Sequence, residues 1–428
     1  MKNDIEKIFD FLFVSNQLKT TKRWLNTPQM TEKESSASHS WSLATLVFIF
    51  AKELELDDID LVKSLKLALI HDIVEILVKD VDSHLIARGI VSKEEKYDNE
   101  LKAILEIKGL LPKRSADEIN ALWMEYAGGK TRESKFVYAL DKIESIIHIL
   151  SCTKERFDFE RFAKDFKLEV FIAEYANEAV RDFPELLPVL KEMQKRLQPL
   201  YSGIGAEWKK EYELKETKQS FETEEQVCQV FDFCGVEQIL KDTKRFLNTP
   251  QMVIKESSAD HSWQVALFLM IAADELKMKA DMLKCLKMAL IHDLPEALAG
   301  DTDSSLVYTG QVSKEEKAAK EKKALLDIIN LLPKKSGLEI FSLWEEYETK
   351  ETAEAKLVNA IDKIEGIHEM VCKGGTCFDH PEWIAPHPKK AVVEKCPETI
   401  PLYKELLKRL KPMYEEMDWN WKESYDIK

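Results

Sequence analysis

A His-Asp doublet, a Glu three residues on and another Asp five beyond that are written twice in this chain. The first copy reads LALIHDIVEILVKD at 67–80 and the second MALIHDLPEALAGD at 288–301. They supply His71, Asp72, Glu75 and Asp80, then His292, Asp293, Glu296 and Asp301. Spacings of three and four let such side chains project to one side of a helix. Beside LALI or MALI their burial is costly without a partner. A divalent ion is the simplest partner, because neutral imidazole nitrogen and carboxylate oxygen suit Mn, Fe, Co, Ni or Zn. Two further candidate ligands come from distant segments: His39 after ESSAS, and Asp141 inside VYALDKIESII. The second copy offers His261 and Asp362 at the matching places. One such residue alone is more often a satisfied core polar group or a cap; four ligand types in one order, twice, favour a metal. Two His and two Asp ligands leave positions open for water, whose pKa the ion then lowers. A nearby carboxylate can take the proton.

The elements that position these residues are themselves duplicated. TKRWLNTPQMTEKESSASHSW at 21–41 matches TKRFLNTPQMVIKESSADHSW at 243–263 at 17 of 21 positions. VSKEEK, LLPKRS/LLPKKS, ALDKIES/AIDKIEG and PELLPVLKEMQKRLQPLY/PETIPLYKELLKRLKPMY follow in the same order. The expected domains are residues 1–205 and 227–428, joined by a charged linker, 206–226, that has no matching motif. Apolar residues recur at helical spacing in HSWSLATLVFIFAKELEL, DLVKSLKLALIHDIVEIL and FVYALDKIESIIHIL, and strand signals are sparse. The Ser residues of ESSASH can cap the helix carrying His39. Each half is therefore expected to be an all-α domain of about six to eight helices. The paired Trp41 and Trp263 are expected as core anchors.

Bulk properties narrow the partners. Among 428 residues, 45% are hydrophobic and 32% charged, as in ordinary globular proteins, and the net charge of −15 disfavours a nucleic-acid polymer. Seven scattered cysteines argue for a reducing compartment. The N-terminal stretch lacks a signal peptide's apolar core, and WSLATLVFIFA at 41–51 is too short to cross a bilayer. The expectation is a cytoplasmic protein without a membrane partner. CKGGTCFDHPEW at 372–383 brings Cys372, Cys377 and His380 together, but not at a standard zinc spacing.

The order His…His-Asp…Asp, with Glu three after the central Asp, resembles the HD-domain metal-dependent phosphohydrolase superfamily. KRWLNTP…SSASHSW…LIHDIVEILVKD…ALDKIE is similar to its 5′-deoxynucleotidase branch, over nearly the whole of both halves. The resemblance implies two tandem HD-domain bundles packed as an intrachain pseudo-dimer, with one divalent metal in each. It implies the ligand sets His39, His71, Asp72, Asp141 and His261, His292, Asp293, Asp362. Glu75 and Glu296 would orient or deprotonate water, and Arg23 and Arg245 would hold phosphate. Asp80 and Asp301 would contact the sugar or the water network, and Trp24 and Phe246 would flank the sugar. Two-metal relatives place extra histidines between the doublet and the last Asp; here there is one, His84, and none in the second copy. A single-metal phosphomonoester hydrolase acting on (deoxy)nucleoside 5′-monophosphates is the implied activity. The alternatives are a regulatory protein with one working site, the C-terminal one, or a hydrolase of another phosphorylated metabolite such as a nucleoside triphosphate. Val74 and Lys79, where the second copy has Pro295 and Gly300, are expected to shift the loop carrying Asp80 or to bring an ammonium near the phosphate.

Overall fold

A computed structural model describes residues 3–166, 169–214, 224–249, 251–374 and 380–427. Among these residues there is no strand, only isolated bridges, of which Lys22–Ser35 and Lys244–Ser257 are a matched pair. The long helices of one half recur in the other. Ser36–Glu53 matches Ser258–Glu275, Leu61–Ile70 matches Met282–Ile291, and Arg132–Ser151 matches Ala353–Lys373. The first half holds seven helices of ten or more residues and several shorter ones that helical periodicity does not resolve.

Ser35 and Ser257 cap the central helices, each accepting the backbone N–H three residues on within a capping box. Both helices are apolar on nearly every face, so they lie at the centre of the molecule, packed against each other. Trp41 Nε1 donates to the Leu290 carbonyl at 2.8 Å and Trp263 Nε1 to the Leu69 carbonyl at 2.9 Å. Each tryptophan thereby anchors the opposite half two residues before its His-Asp doublet. The terminal helices also cross over: Asp4–Ser15 packs on Ser258–Glu275 and Ile400–Glu416, and Glu224–Asp242 on Arg132–Ser151 and Leu187–Gly203. Two matched ion pairs secure them, Arg409–Asp10 at 2.9 Å and Arg196–Asp232 at 3.0 Å. The two bundles form an intrachain pseudo-dimer.

Two expectations need correction. The doublets do not sit inside a helix. Leu61–Ile70 and Met282–Ile291 end just before them, and the chain passes through tight turns before short helices start at Glu75 and Glu296. Bonds such as Ile73 N–H to Ile70 O and Glu75 N–H to Asp72 O draw in this turn. Pro295 presets its dihedrals, and Val74 adopts the same ones without a ring. The linker's first part also has a counterpart. Trp208 packs edge-on against Tyr201 and Tyr212, as Trp421 does against Tyr414 and Tyr425. Residues 215–223 of that segment lie outside the described residues. Among the described residues no helix is long and apolar enough to cross a membrane.

Candidate metal centres

Three elements converge in each half. The first turn of Ser36–Glu53 supplies His39, the tight turn supplies His71 and Asp72, and the middle of Arg132–Ser151 supplies Asp141. His39 Nε2 lies 3.1 Å from Asp141 Oδ1 and 3.9 Å from Asp72 Oδ2, and His71 Nε2 lies 3.2 Å from Asp72 Oδ2. In the second half His261 Nε2 is 3.2 Å from Asp362 Oδ1 and 3.7 Å from Asp293 Oδ2. There His292 Nε2 is 3.4 Å from Asp293 Oδ2. All eight candidate ligands from the sequence thus fall into two four-residue clusters.

The clusters suit a divalent ion. His71 Nδ1 donates to the Ala68 carbonyl at 2.8 Å, and His292 Nδ1 to Ala289 at 2.9 Å. A carbonyl can only accept, so Nδ1 carries a proton, and in the neutral ring Nε2 is then the nitrogen free to ligate. His71 Nε2 is buried without a hydrogen-bond partner, the state expected of a nitrogen made for a metal. One ligand atom each from His39, His71 and Asp141 lie within 4.8 Å of one another, as do those of His261, His292 and Asp293.

A second layer fixes these ligands. A Glu144 oxygen meets His39 Nδ1, and a Glu365 oxygen meets His261 Nδ1. Tyr126 Oη donates to Asp141 Oδ2 at 3.1 Å and Tyr347 Oη to Asp362 Oδ2 at 2.7 Å. Lys142 and Lys363 reach the same oxygens at 2.9 and 3.0 Å. Their occurrence in both copies was the signal that could have found them. Such supports hold a ligand's tautomer and direction.

Burial and Arg23 both act to lower the pKa of His39. Glu144 and Asp141, one on each ring nitrogen, override them and raise it to about 9. At His261 burial and Arg245 are overridden in the same way by Glu365 and Asp362, and the value rises to about 10. Both exceed the ordinary 6.5, so the metal-free folded state binds these protons more tightly than the unfolded chain. That stability is whole below pH 6.5 and is lost as pH rises through 9 to 10. The metal-stripped chain is therefore expected to show a falling guanidinium midpoint over that range. Combining Glu144→Gln with Glu365→Gln should flatten the trend; an unchanged slope would show that other groups set it.

On the open side, Ser36 Oγ donates to Glu75 Oε2 at 2.5 Å and Ser258 Oγ to Glu296 Oε2 at 2.6 Å. Burial, reinforced by Asp72 and Asp80, pushes Glu75 well above the carboxylate range; burial with Asp293 and Asp301 does the same to Glu296. Each nitrogen of Arg23 already has a partner: Nε meets Glu34 at 3.1 Å, one terminal nitrogen Asp72 at 3.2 Å, and the other Ser145 Oγ at 2.9 Å. Arg245 pairs with Glu256 at 3.2 Å and Asp293 at 2.8 Å. Gly366 stands where Ser145 would be, and among the described residues the second terminal nitrogen of Arg245 has no acceptor.

Arg245, Phe246, Asp301 and Asp362 line an open cleft of about 670 Å³ also walled by Trp383, His380 and His387. Arg23, Trp24 and Asp80 line one of about 490 Å³ walled by Phe162, Phe171 and Tyr175. Trp24 and Phe246 hold matching left-handed backbones, φ 59° and 60°, and Trp24 N–H reaches Asp80 Oδ2 at 3.3 Å. Lys79 adopts the backbone of Gly300, φ 65° and ψ 162° against 73° and 149°. Its loop is therefore not displaced; instead Lys79 bears strain that glycine avoids. Its side chain is exposed and is not among the cavity's lining residues. Of the cysteine cluster, Cys377 lies outside the described residues, and Cys372 Sγ instead contacts His368 Nε2 at 3.5 Å.

With the geometry in place, comparison with known proteins gives the family. The HD domain family profile matches residues 15–186 and 237–385, and the chain belongs to that family. It is similar to the 5′-deoxynucleotidase HDDC2 of Xenopus laevis, 39% identical over 112 residues, covering 26% of this chain and 52% of that protein. The HDDC2 of Dictyostelium discoideum is 38% identical over 143 residues, covering 32% of this chain and 72% of that protein. The chain spans about half the length of most of the curated relatives it matches. A solved predicted metal-dependent phosphohydrolase from Magnetospirillum magnetotacticum is 24% identical, with a TM-score of 0.35, over 43% of this chain and 97% of its own.

Proposed function

We propose that the chain is a metal-dependent phosphohydrolase that cleaves the phosphomonoester of (deoxy)nucleoside 5′-monophosphates, with one centre in each of the domains 1–205 and 227–428. The observation carrying this reading is the buried Nε2 of His71 among His39, Asp72 and Asp141, beside Arg23, which bonds Asp72 and also lines a cavity, with the buried Glu75 three residues on from Asp72. The names of the HDDC2 relatives support the substrate class. His39, His71, Asp72 and Asp141 would hold one divalent ion of the Mn, Co, Zn, Fe or Ni class, and His261, His292, Asp293 and Asp362 another. Such an ion supplies Lewis acidity toward phosphate and water.

The chain's own residues do the rest. Arg245 and Arg23 orient the phosphate through charge-assisted bonds. Glu75 and Glu296, aimed by Ser36 and Ser258, accept the proton of the attacking water and return it to the departing nucleoside oxygen. Trp24 and Phe246 flank the sugar, and Asp80 and Asp301 contact its hydroxyl side. The free cysteines among the described residues fit a reducing, cytoplasmic setting.

The Ser145/Gly366 difference favours a second reading in which the two centres are unequal and the C-terminal one carries most turnover. Phosphate release from nucleoside mono- and triphosphates, assayed with Mn, Co, Zn or Mg, tests the activity. Monophosphates are the expected substrates. A chain that binds metal yet hydrolyses no nucleotide would overturn the proposal.

A further inference from the structure

We propose that Lys19 and Lys241 are positioning residues that act in trans. Each lysine comes from one copy and sets both the metal histidine and the phosphate arginine of the other copy's centre. This rests on the metal-centre reading above and goes beyond it by making each centre a product of both halves.

Lys19 ends a short turn in the first half, four residues before Arg23, yet its side chain enters the second half and is 1% exposed. Its Nζ contacts Glu256 Oε2, Glu365 Oε1 at 2.8 Å and Glu369 Oε2 at 3.0 Å. The other oxygen of Glu365 holds His261 Nδ1, and the other oxygen of Glu256 faces Arg245 Nε at 3.2 Å. One ammonium thus ties the carboxylate behind the metal histidine to the carboxylate behind the phosphate arginine.

Lys241, 222 positions later, repeats the arrangement in reverse. It lies near the end of helix Glu224–Asp242 and is 3% exposed, with Nζ 2.8 Å from Glu34 Oε2 and 2.5 Å from Glu144 Oε1. The remaining oxygens of those glutamates serve Arg23 Nε at 3.1 Å and His39 Nδ1. A buried carboxylate keeps its charge and direction only while a cation faces it. Beside the arginine of the same half, each centre's pair of glutamates meets one lysine supplied from across the pseudo-dimer. The exchange also has an asymmetry. Lys19 faces three glutamates, whereas the position matching Glu369 is His148, whose Nδ1 lies 3.5 Å from Glu34 and 2.9 Å from Gln238. The first centre therefore retains an imidazole beside Glu34 when Lys241 is lost, whereas in the second the further lysine, Lys373, meets the outer Glu369 at 3.1 Å.

The test uses the full chain with one centre removed at a time. Asp72→Ala leaves the second centre and Asp293→Ala the first, and Co(II) serves as the probe through its visible absorbance. Lys19→Met is expected to weaken Co(II) binding at the second centre about 10- to 100-fold, the range seen for lost second-layer supports, and to leave the first within twofold. Lys241→Met should do the reverse, with a smaller loss. If a methionine variant fails to fold, Lys19→Arg and Lys241→Arg keep the charge but alter its geometry. They should shift the Co(II) spectrum of the opposite centre alone. Loss in the lysine's own half, equal loss in both centres or no change would overturn the proposal. A wild-type chain that binds no Co(II) would instead count against the metal-centre reading itself.

Discussion

Phosphate release is expected to fall about 1000-fold in a chain carrying both Glu75→Gln and Glu296→Gln, with bound metal staying at the wild-type level; the size is that of a lost general base. Glutamine matches glutamate in volume and still accepts the Ser36 or Ser258 hydroxyl, so the buried packing is kept. What is lost is an oxygen able to take a proton. Burial holds both glutamates well above the carboxylate range, which makes them better proton acceptors once a neighbouring cation brings them to the ionised form. The carboxylates proposed to hold the ion are other residues, so metal content separates loss of the base from loss of the centre. Each single variant should remove only its own centre's share of the rate. A double variant with more than a tenth of wild-type turnover and intact metal would exclude the glutamates as bases.

The ligand sets were legible because their residue types are rare in apolar segments and recur in one order, so that His39, His71, Asp72 and Asp141 predicted their counterparts. The duplication was legible for the same reason, down to the charged VSKEEK. What escaped depends on tertiary placement. Lys19 and Lys241 resemble any surface lysine in sequence, and only the crossing of the halves shows where their ammonium groups end. Tyr126 sits on a different helix from Asp141, and Glu144 on a different helix from His39, so periodicity alone reads them as packing. WKKEYELK at 208–215 does repeat as WKESYDIK at 421–428, but so short a match inside a charged stretch reads as linker until the aromatic clusters are seen in space. Lys79 misled in the other direction. Its type argued for a changed loop, but surrounding packing holds it in a glycine-like conformation at a cost of about 1–3 kcal/mol.

The arginines should separate the two centres. In the Asp72→Ala background, Arg245→Met is expected to lower kcat/KM about 100-fold, as for removal of one donor aimed at developing charge. In the Asp293→Ala background, Arg23→Met should cost clearly less, because Arg23 already spends its outer nitrogen on Ser145. A phosphate that takes the N–H now held by Ser145 displaces that bond, and a hydrogen bond of about 1 kcal/mol amounts to about fivefold. Ser145→Gly should therefore raise the first centre's kcat/KM about fivefold by freeing the guanidinium. Gly366→Ser should lower the second centre's by a similar factor. The space allows that change: a Cβ built on Gly366 lies 4.0 Å from the outer nitrogen of Arg245, so a hydroxyl can reach it without displacing the helix. Steady-state kinetics on the four variants read the outcome directly. Equal arginine effects, or a Ser145→Gly chain no faster than its parent, would mean that the two centres divide the work for some other reason than the number of donors each offers to phosphate.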